Sequence, residues 1–139
     1  MEVRVADFAK DFAAIELVRE TVFWLEQRIP RELEFDDRDP ACIHLLALDH
    51  DAPIGTARLD LEQRGKIGRV AVLAAHRRRG VATALMQRLH GIARDRGLRD
   101  VWCNAQIPAI PLYERLGYAI TSEPFDEAGI PHVRMQRTL

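Results

Sequence analysis

Apolar residues along this chain alternate between two rhythms, one of period two and one of helical period. Val3 and Val5 alternate with charged neighbours and predict a short strand; Phe8, Phe12, Ile15 and Val18 then fall at helical spacing and predict a helix running to about Trp24. Ile43–Asp49 and Pro53–Leu61 flank the polar and small residues His50-Asp51-Ala52, a pattern that predicts a hairpin. Ile67, Val70, Val72 and Leu73 form the β-branched and apolar run of a strand covered on both faces. Helical spacing returns at Val81, Leu85, Leu89 and Ile92, with Gln87, Arg88, Arg94 and Asp95 on the watered side and Gly97 as a stop. Arg99–Ala105 reads as a strand, and Pro111–Tyr118 as a short helix with Pro at its start and Gly near its end. Ala119–Glu123 and Pro131–Arg137 read as a closing strand pair, with Glu127-Ala128-Gly129 in its turn.

The resulting order, β-α-(α)-β-β-β-α-β-α-β-β, predicts an α/β fold with a mixed sheet, parallel around the central strand–helix–strand unit. At 139 residues the chain suits a single domain spanning 1–139, able to bury about two-thirds of its unfolded surface without disulfides or structural metal. A net charge of −1 argues against a general nucleic-acid or membrane-surface binder, and the aromatics do not interleave with basic residues. Cys42 and Cys103 are too few for a disulfide framework or zinc site, and the opening MEVRVADFAKDF has no signal-like or spanning apolar core, which makes the cytoplasm the expected compartment. The acidic run Glu32, Glu34, Asp36, Asp37 and Asp39 has no metal-ligand spacing and reads as a solvated loop or short covering helix.

Between the central strand and helix lies Arg77-Arg78-Arg79-Gly80-Val81-Ala82. The absent or minimal side chains of Gly80 and Ala82 would let a ligand approach the backbone at a helix start, where unpartnered N–H groups and the positive dipole end favour phosphate. A solvated basic turn is the simpler reading of the same residues. Arg77-x-x-Gly80-x-Ala82, following a V-A-V strand, resembles the acetyl-CoA signature of the GNAT superfamily of N-acetyltransferases. Ala109 and Leu112-Tyr113-Glu114-Arg115-Leu116-Gly117-Tyr118 resemble that family's second signature, A-x-x-L-Y-x-x-x-G-F/Y. Val22-Phe23, Glu26-Gln27, Glu34, Asp36, Asp39 and His44, with Trp102-Cys103-Asn104-Ala105 and the ending Glu127 through Met135, are similar to a bacterial small-molecule subgroup of the glyphosate N-acetyltransferase type.

The resemblance implies a GNAT-like mixed sheet with a splayed central parallel strand pair and helices on both faces. It implies acetyl-CoA as co-substrate, held by Arg77, Arg78, Arg79, Gly80, Val81, Ala82 and Thr83 at the turn and by Val70, Ala71 and Val72 along the splayed strand. A free N–H near Val72 would face the thioester oxygen. Tyr113 would protonate the departing thiolate, and His132 would be the general base, since histidine titrates in the range where an ammonium must lose its proton. Read without the family, Tyr113 is a core aromatic and His132 a satisfied strand histidine.

Glu26, His44, Arg69 and Gln106 are candidates for an acceptor pocket; Gln106 stands where many family members have Asn, and it could contact CoA instead. Cys103, on a core strand, reads as a small hydrophobe rather than a nucleophile. The reaction this points to is acetyl transfer to a small-molecule amine by direct attack, with protein or peptide acetylation and a non-catalytic CoA-binding module as alternatives. Family precedent also admits a homodimer.

Overall fold

The computed structural model describes residues 1–139. Its strands join one sheet: β1 (Glu2–Ala6), β2 (Ile43–Asp49), β3 (Ala52–Asp60), β4 (Lys66–Val72), β5 (Asp100–Gln106), β6 (Ala119–Ile120), β7 (Phe125–Glu127) and β8 (Ile130–Thr138). Their order is β1-β2-β3-β4-β5-β8-β6, with β7 also paired to β8. Only β4 and β5 are parallel; every other pair is antiparallel. The helices are α1 (Phe12–Arg19), continued by a π-helical segment (Glu20–Glu26), then α2 (Arg31–Glu34), α3 (Val81–Asp95) and α4 (Ile110–Arg115).

Alternation along the strands divides the sheet's two faces. Ala57 and Leu59 of β3, Ile67 and Val72 of β4, and Cys103 and Ala105 of β5 pack with Val81, Leu85 and Leu89 of α3 in the main core. Ala71 points the other way, beneath Val18, Val22 and Phe23. The stripe on α3 is wider than the four-residue spacing alone implies, because Met86, His90 and Ala93 are buried with it. A stripe packed on a twisted sheet needs more than one row of contacts. The two hairpins with two-residue turns, β2–β3 and β7–β8, each turn through two left-handed residues, His50-Asp51 (φ 48 and 66) and Ala128-Gly129 (φ 53 and 77), the twist that matches antiparallel strands.

Three local expectations need correction. The first helix starts at Phe12 rather than Phe8, because Asp11 accepts from the Asp7 amide at 2.8 Å and Asp7 accepts from the Lys10 amide at 3.0 Å, which closes a turn in front of it. Phe8 instead stacks on His44. The closing strand pair contains β7, so Glu127 belongs to a strand and not to the turn, while the strand expected over Ala119–Glu123 pairs at only two residues. Of the two readings of the acidic run, the short covering helix holds, as α2, and the solvated loop does not: Glu34 and Asp39 are buried, and only Glu32 and Asp37 are exposed.

Behind α3, His90 is enclosed with Tyr118 and Arg137. Arg137 donates to Nδ1 at 2.8 Å, so the proton sits on Nε2, which donates to the Tyr118 oxygen at 2.6 Å. Burial, reinforced by Arg137 and Arg94, lowers this imidazole to about 4 from an ordinary 6.5. Between those values the unfolded chain binds a proton that the folded chain refuses, so stability is full above pH 6.5 and declines toward pH 4. Burial lowers His44 as well and adds to the same trend. Denaturant midpoints measured across this window should fall with acidity, and His90→Gln, which keeps a donor and an acceptor but cannot titrate, should flatten the slope. A slope unchanged by the substitution would remove His90 from this account.

Candidate active site

The cleft begins with an irregularity in β4. Gly68 pairs with Arg58 and Ala71 with Thr56, so Arg69 and Val70 together oppose Ala57, and Arg69 takes a left-handed φ of 52°. Such a bulge bends its strand. The parallel partner cannot follow: β4 and β5 are in register only at Lys66 and Trp102, where the Trp102 amide donates to Gly65 at 3.1 Å. Beyond that point Ala71 and Val72 pair with β3 on one edge, and Val70, Ala71 and Val72 have no ladder on the other.

Two adjoining cavities of about 520 and 630 Å³ open where the strands part. Val70, Val72, Arg77, Gln106, Ala109 and Tyr113 line both. The larger reaches the start of α3, where Arg78, Gly80, Val81, Ala82 and Thr83 form the wall with His76 and Arg115. Gly80 caps the helix at φ 79°, and a Cβ built on it meets nothing within 4 Å. Arg78 is also left-handed, φ 61°. Open space over first-turn amides, the end of a 15-residue helix and flanking cations together fit a pyrophosphate. Arg79 lines neither cavity. Arg77 is present but engaged: its Nε donates to the Val72 carbonyl at 2.9 Å and its Nη2 to Glu26 at 2.7 Å.

Tyr113 stands where the cavities meet, 7% exposed, edge-on to Tyr118. Its hydroxyl has no hydrogen-bond partner in the chain, and burial raises its pKa, so it is a neutral O–H at physiological pH. Gln106 lies beside it and donates to Gln27 at 2.8 Å, joining β5 to the end of the π-helical segment. That segment widens the helix by one residue per turn and places Val22, Phe23 and Gln27 on the cleft wall. His132 is 6% exposed and pairs with Gln106 across β5 and β8. Its Nδ1–H donates to the Ile130 carbonyl at 2.6 Å, so in the neutral ring Nε2 keeps its lone pair, with Glu127 at 3.5 Å. Cys103 is buried on the opposite face and its thiol is pushed up to about 12, which disqualifies it as a nucleophile.

The smaller cavity is covered by the segment around α2. Arg69 donates to the Glu34 and Leu33 carbonyls at 2.9 and 3.1 Å and to Asp36 at 3.0 Å, so it fastens the cover and offers the cleft little. Arg58 pairs with Asp36 and Asp39, and Arg19 with Asp39. His44 belongs to this layer: it is 1% exposed, its Nε2 donates to the Asp39 carbonyl at 2.8 Å, and it does not line the acceptor cavity as expected. Glu26 likewise lines neither cavity, because its carboxylate is spent on Arg77. Sequence reasoning missed Gln27, Lys66, Asn104, Glu127 and Arg115 as lining groups. Alternation on β5 would have found Asn104, which shares a face with Gln106; the others depend on how distant segments fold over the sheet.

A splayed parallel pair with an anion-ready helix start on one side and a polar cavity on the other defines an acyl-CoA-dependent transferase. Residues 14–139 match the acetyltransferase (GNAT) domain family, and the chain belongs to it. It is 38% identical over 122 residues to the uncharacterized N-acetyltransferase YjcF of Bacillus subtilis, covering 86% of this chain and 87% of that protein. Among solved structures, an acyl-CoA N-acyltransferase from Pseudomonas aeruginosa superposes with a TM-score of 0.87 at 29% identity, covering 99% of this chain and 100% of that one. Escherichia coli ElaA superposes at 0.88 with 26% identity, covering 99% of each. The protein is therefore an N-acetyltransferase with acetyl-CoA as co-substrate.

The helix start supplies a direct test. Gly80→Val places a branched side chain in the open space above the amides, and should raise the Kd for CoA by roughly tenfold or more in calorimetry. The left-handed φ adds a stability cost of about 1–2 kcal/mol, so circular dichroism must confirm that the variant is folded. Undiminished affinity in a folded variant would move the pyrophosphate site elsewhere.

Proposed function

We propose that the chain acetylates a small-molecule amine by direct attack, with Tyr113 as the acid and His132 as the base. The observation that carries this reading is the unpartnered, neutral Tyr113 hydroxyl at the junction of the two cavities, with the Nε2 side of His132 on the acceptor cavity. A cavity of about 520 Å³ beneath an anchored cover lies in the range of small-ligand sites, and favours a metabolite over a peptide, which needs an open groove.

The first-turn amides of α3, with Arg78 and Arg115, would hold the pyrophosphate, and the unladdered edge of Val70–Val72 would hold the extended arm. As the amine nitrogen forms its bond to the acetyl carbon, His132 Nε2 takes the proton that nitrogen sheds. As the carbon–sulfur bond breaks, Tyr113 gives its proton to sulfur, so no thiolate is expelled into a poorly hydrated site. No covalent enzyme intermediate is needed. The two free cysteines accord with a cytoplasmic setting.

Tyr113→Phe removes one oxygen. Turnover under conditions where chemistry is limiting should fall ~10²-fold or more while CoA affinity holds; an unchanged turnover number would assign the proton to water or another group.

For the base, the chemical step should slow in acid, since attack needs a group free to take the amine's proton, and His132→Ala should abolish that limb. Because a titrating amine produces a similar profile, the comparison with the variant is decisive. Retention of both rate and limb in His132→Ala would eliminate His132, and Glu127→Gln would then be the variant to measure.

A further inference from the structure

β7 turns back onto β8 and brings a carboxylate to the proposed base. Phe125 pairs with His132 and Glu127 with Ile130, so the Ala128-Gly129 turn leaves Phe125, Glu127 and His132 on one face of the two strands. Phe125 stacks on the imidazole with 6.1 Å between ring centres, and Glu127 Oε2 lies 3.5 Å from His132 Nε2. The other oxygen, Oε1, accepts from the Asn104 side-chain amide at 3.2 Å. Glu127, Asn104 and His132 all line the acceptor cavity.

Glu127 differs from the other acids of that wall. Glu34 is matched by Arg69, and Asp36 by Arg58 and Arg69, whereas Glu127 has no lysine or arginine within 4.0 Å and His132 is its one ionisable neighbour. Arg134 and Lys66 do not answer it, since they lie over the Trp102 ring at 4.1 and 5.3 Å from its centre. Asn104 is neutral, so it orients the carboxylate without cancelling its charge. The acceptor cavity thus has one carboxylate that no arginine or lysine of the chain satisfies, and it stands beside the base.

An aliphatic amine meets the protein as a cation. If it titrates as the lysine side chain does, on the order of one molecule in a thousand is the free base at about pH 7, so a site that admits only the free base forgoes most of its substrate. Two hydrogen bonds of about 2.9 Å close over the 3.5 Å between Glu127 Oε2 and His132 Nε2, which lets one ammonium nitrogen donate to both. We propose that Glu127 is the ammonium-docking group of the acceptor site, so that the chain takes an aliphatic amine in its protonated form and Glu127 delivers it to His132. This rests on the acetyl-transfer reading and names the acceptor's class. One N–H bond of the docked ammonium breaks with its electron pair left on nitrogen, and the proton passes to His132 Nε2 and on to water, which reaches this point because the Glu127 side chain is 45% exposed. His132 is then free for the proton shed as the carbon–nitrogen bond forms. Of the two protons nitrogen loses, one replaces, by way of solvent, the proton Tyr113 gives to sulfur, and the other is released.

The test compares acceptors that differ in charge. Alkylamines are cations near neutrality, whereas arylamines and hydrazides of similar size are neutral, and both classes are offered to the purified protein with acetyl-CoA. The alkylamines should have the lower KM, and that KM, expressed in total amine, should hold level as the pH falls from mildly alkaline to neutral. Glu127→Gln should raise it roughly tenfold and make it climb by about tenfold per pH unit as the free base becomes scarce. The variant's KM for arylamines, its turnover number and its affinity for CoA by calorimetry should change far less. A KM raised equally for both classes would make Glu127 a structural residue, and a fall in turnover with KM unmoved would make it a base; either result overturns the docking role.

A second readout needs no turnover. The His132 ring resonances, identified by their loss in His132→Ala, should shift when butylammonium is added to the CoA complex of the wild-type protein and should not shift in Glu127→Gln. Arylamines acetylated as well as alkylamines, with no shift of His132, would overturn the docking role and leave acetyl transfer intact. CoA binding without acetylation of any amine would instead overturn the proposed reaction; a His132 shift that depends on Glu127 would still uphold the docking role there, and its absence would overturn that role too.

Discussion

A parallel strand pair that starts in register and cannot stay there is the constraint on which the molecule depends. β4 meets β5 at Lys66 and Trp102, and the bulge at Arg69 and Val70 then turns it away. A left-handed arginine at that point costs about 1–2 kcal/mol, and its own side chain offsets the cost by reaching the Leu33 and Glu34 carbonyls and the Asp36 carboxylate. One residue therefore opens the sheet and fastens the cover over the opening. The cavity, the exposed edge of Val70–Val72 and the direction in which β4 delivers the chain to α3 all follow from that bend.

The cover itself rests on charge. Arg19, Arg58 and Arg69 face Glu34, Asp36 and Asp39 under little solvent, an arrangement that burial alone would oppose. Burial works against the Asp36 charge, yet the Arg58 and Arg69 guanidiniums hold its carboxyl down to about 2. Glu34 goes the other way: burial outweighs its arginines and raises it. Removing any one partner would leave an uncompensated charge in the interior, so these residues specify the position of α2 more than they add to stability. A hydrophobic cover could slide; this one is held by directional bonds at several points.

The parts of the fold that were legible are those written in local period or turn chemistry. The hairpin at His50-Asp51, the helix from Val81, its stop at Gly97 and the glycine start at Gly80 each follow from residues near one another in sequence. Tyr113, Gly80 and His132 were found through motifs, and the structure brings all three to one cleft. What escaped was set by tertiary pairing. His44 looked available because nothing nearby occupies it, but Arg19, Asp39 and Phe8 enclose it from other segments. The burial of the acidic run escaped because its arginines lie before and after it in the chain. The π-helical turn is also invisible to a period of 3.6, since it is the departure from that period that presents Val22, Phe23 and Gln27 to the cavity.

Arg77 shows why a matching motif does not assign each residue a single task. The first basic residue of the turn is the natural candidate for a phosphate contact, yet its guanidinium closes two gaps that the splayed sheet creates. The Val72 carbonyl ends β4, and Arg77 Nε satisfies it; Nη2 carries the same side chain on to Glu26, at the end of the π-helical segment. The two walls of the cleft are thus joined by one arginine at their outer rim. On the proposed reading a phosphate at Gly80 would meet the amides of α3 with Arg78 and Arg115, while in this structure Arg77 is engaged by the Val72 carbonyl and the Glu26 carboxylate. The charge of Arg77 still raises the potential at the helix start, since an ion pair at the surface leaves a dipole and not a void. Its bonds hold the two walls of the cleft at a fixed separation.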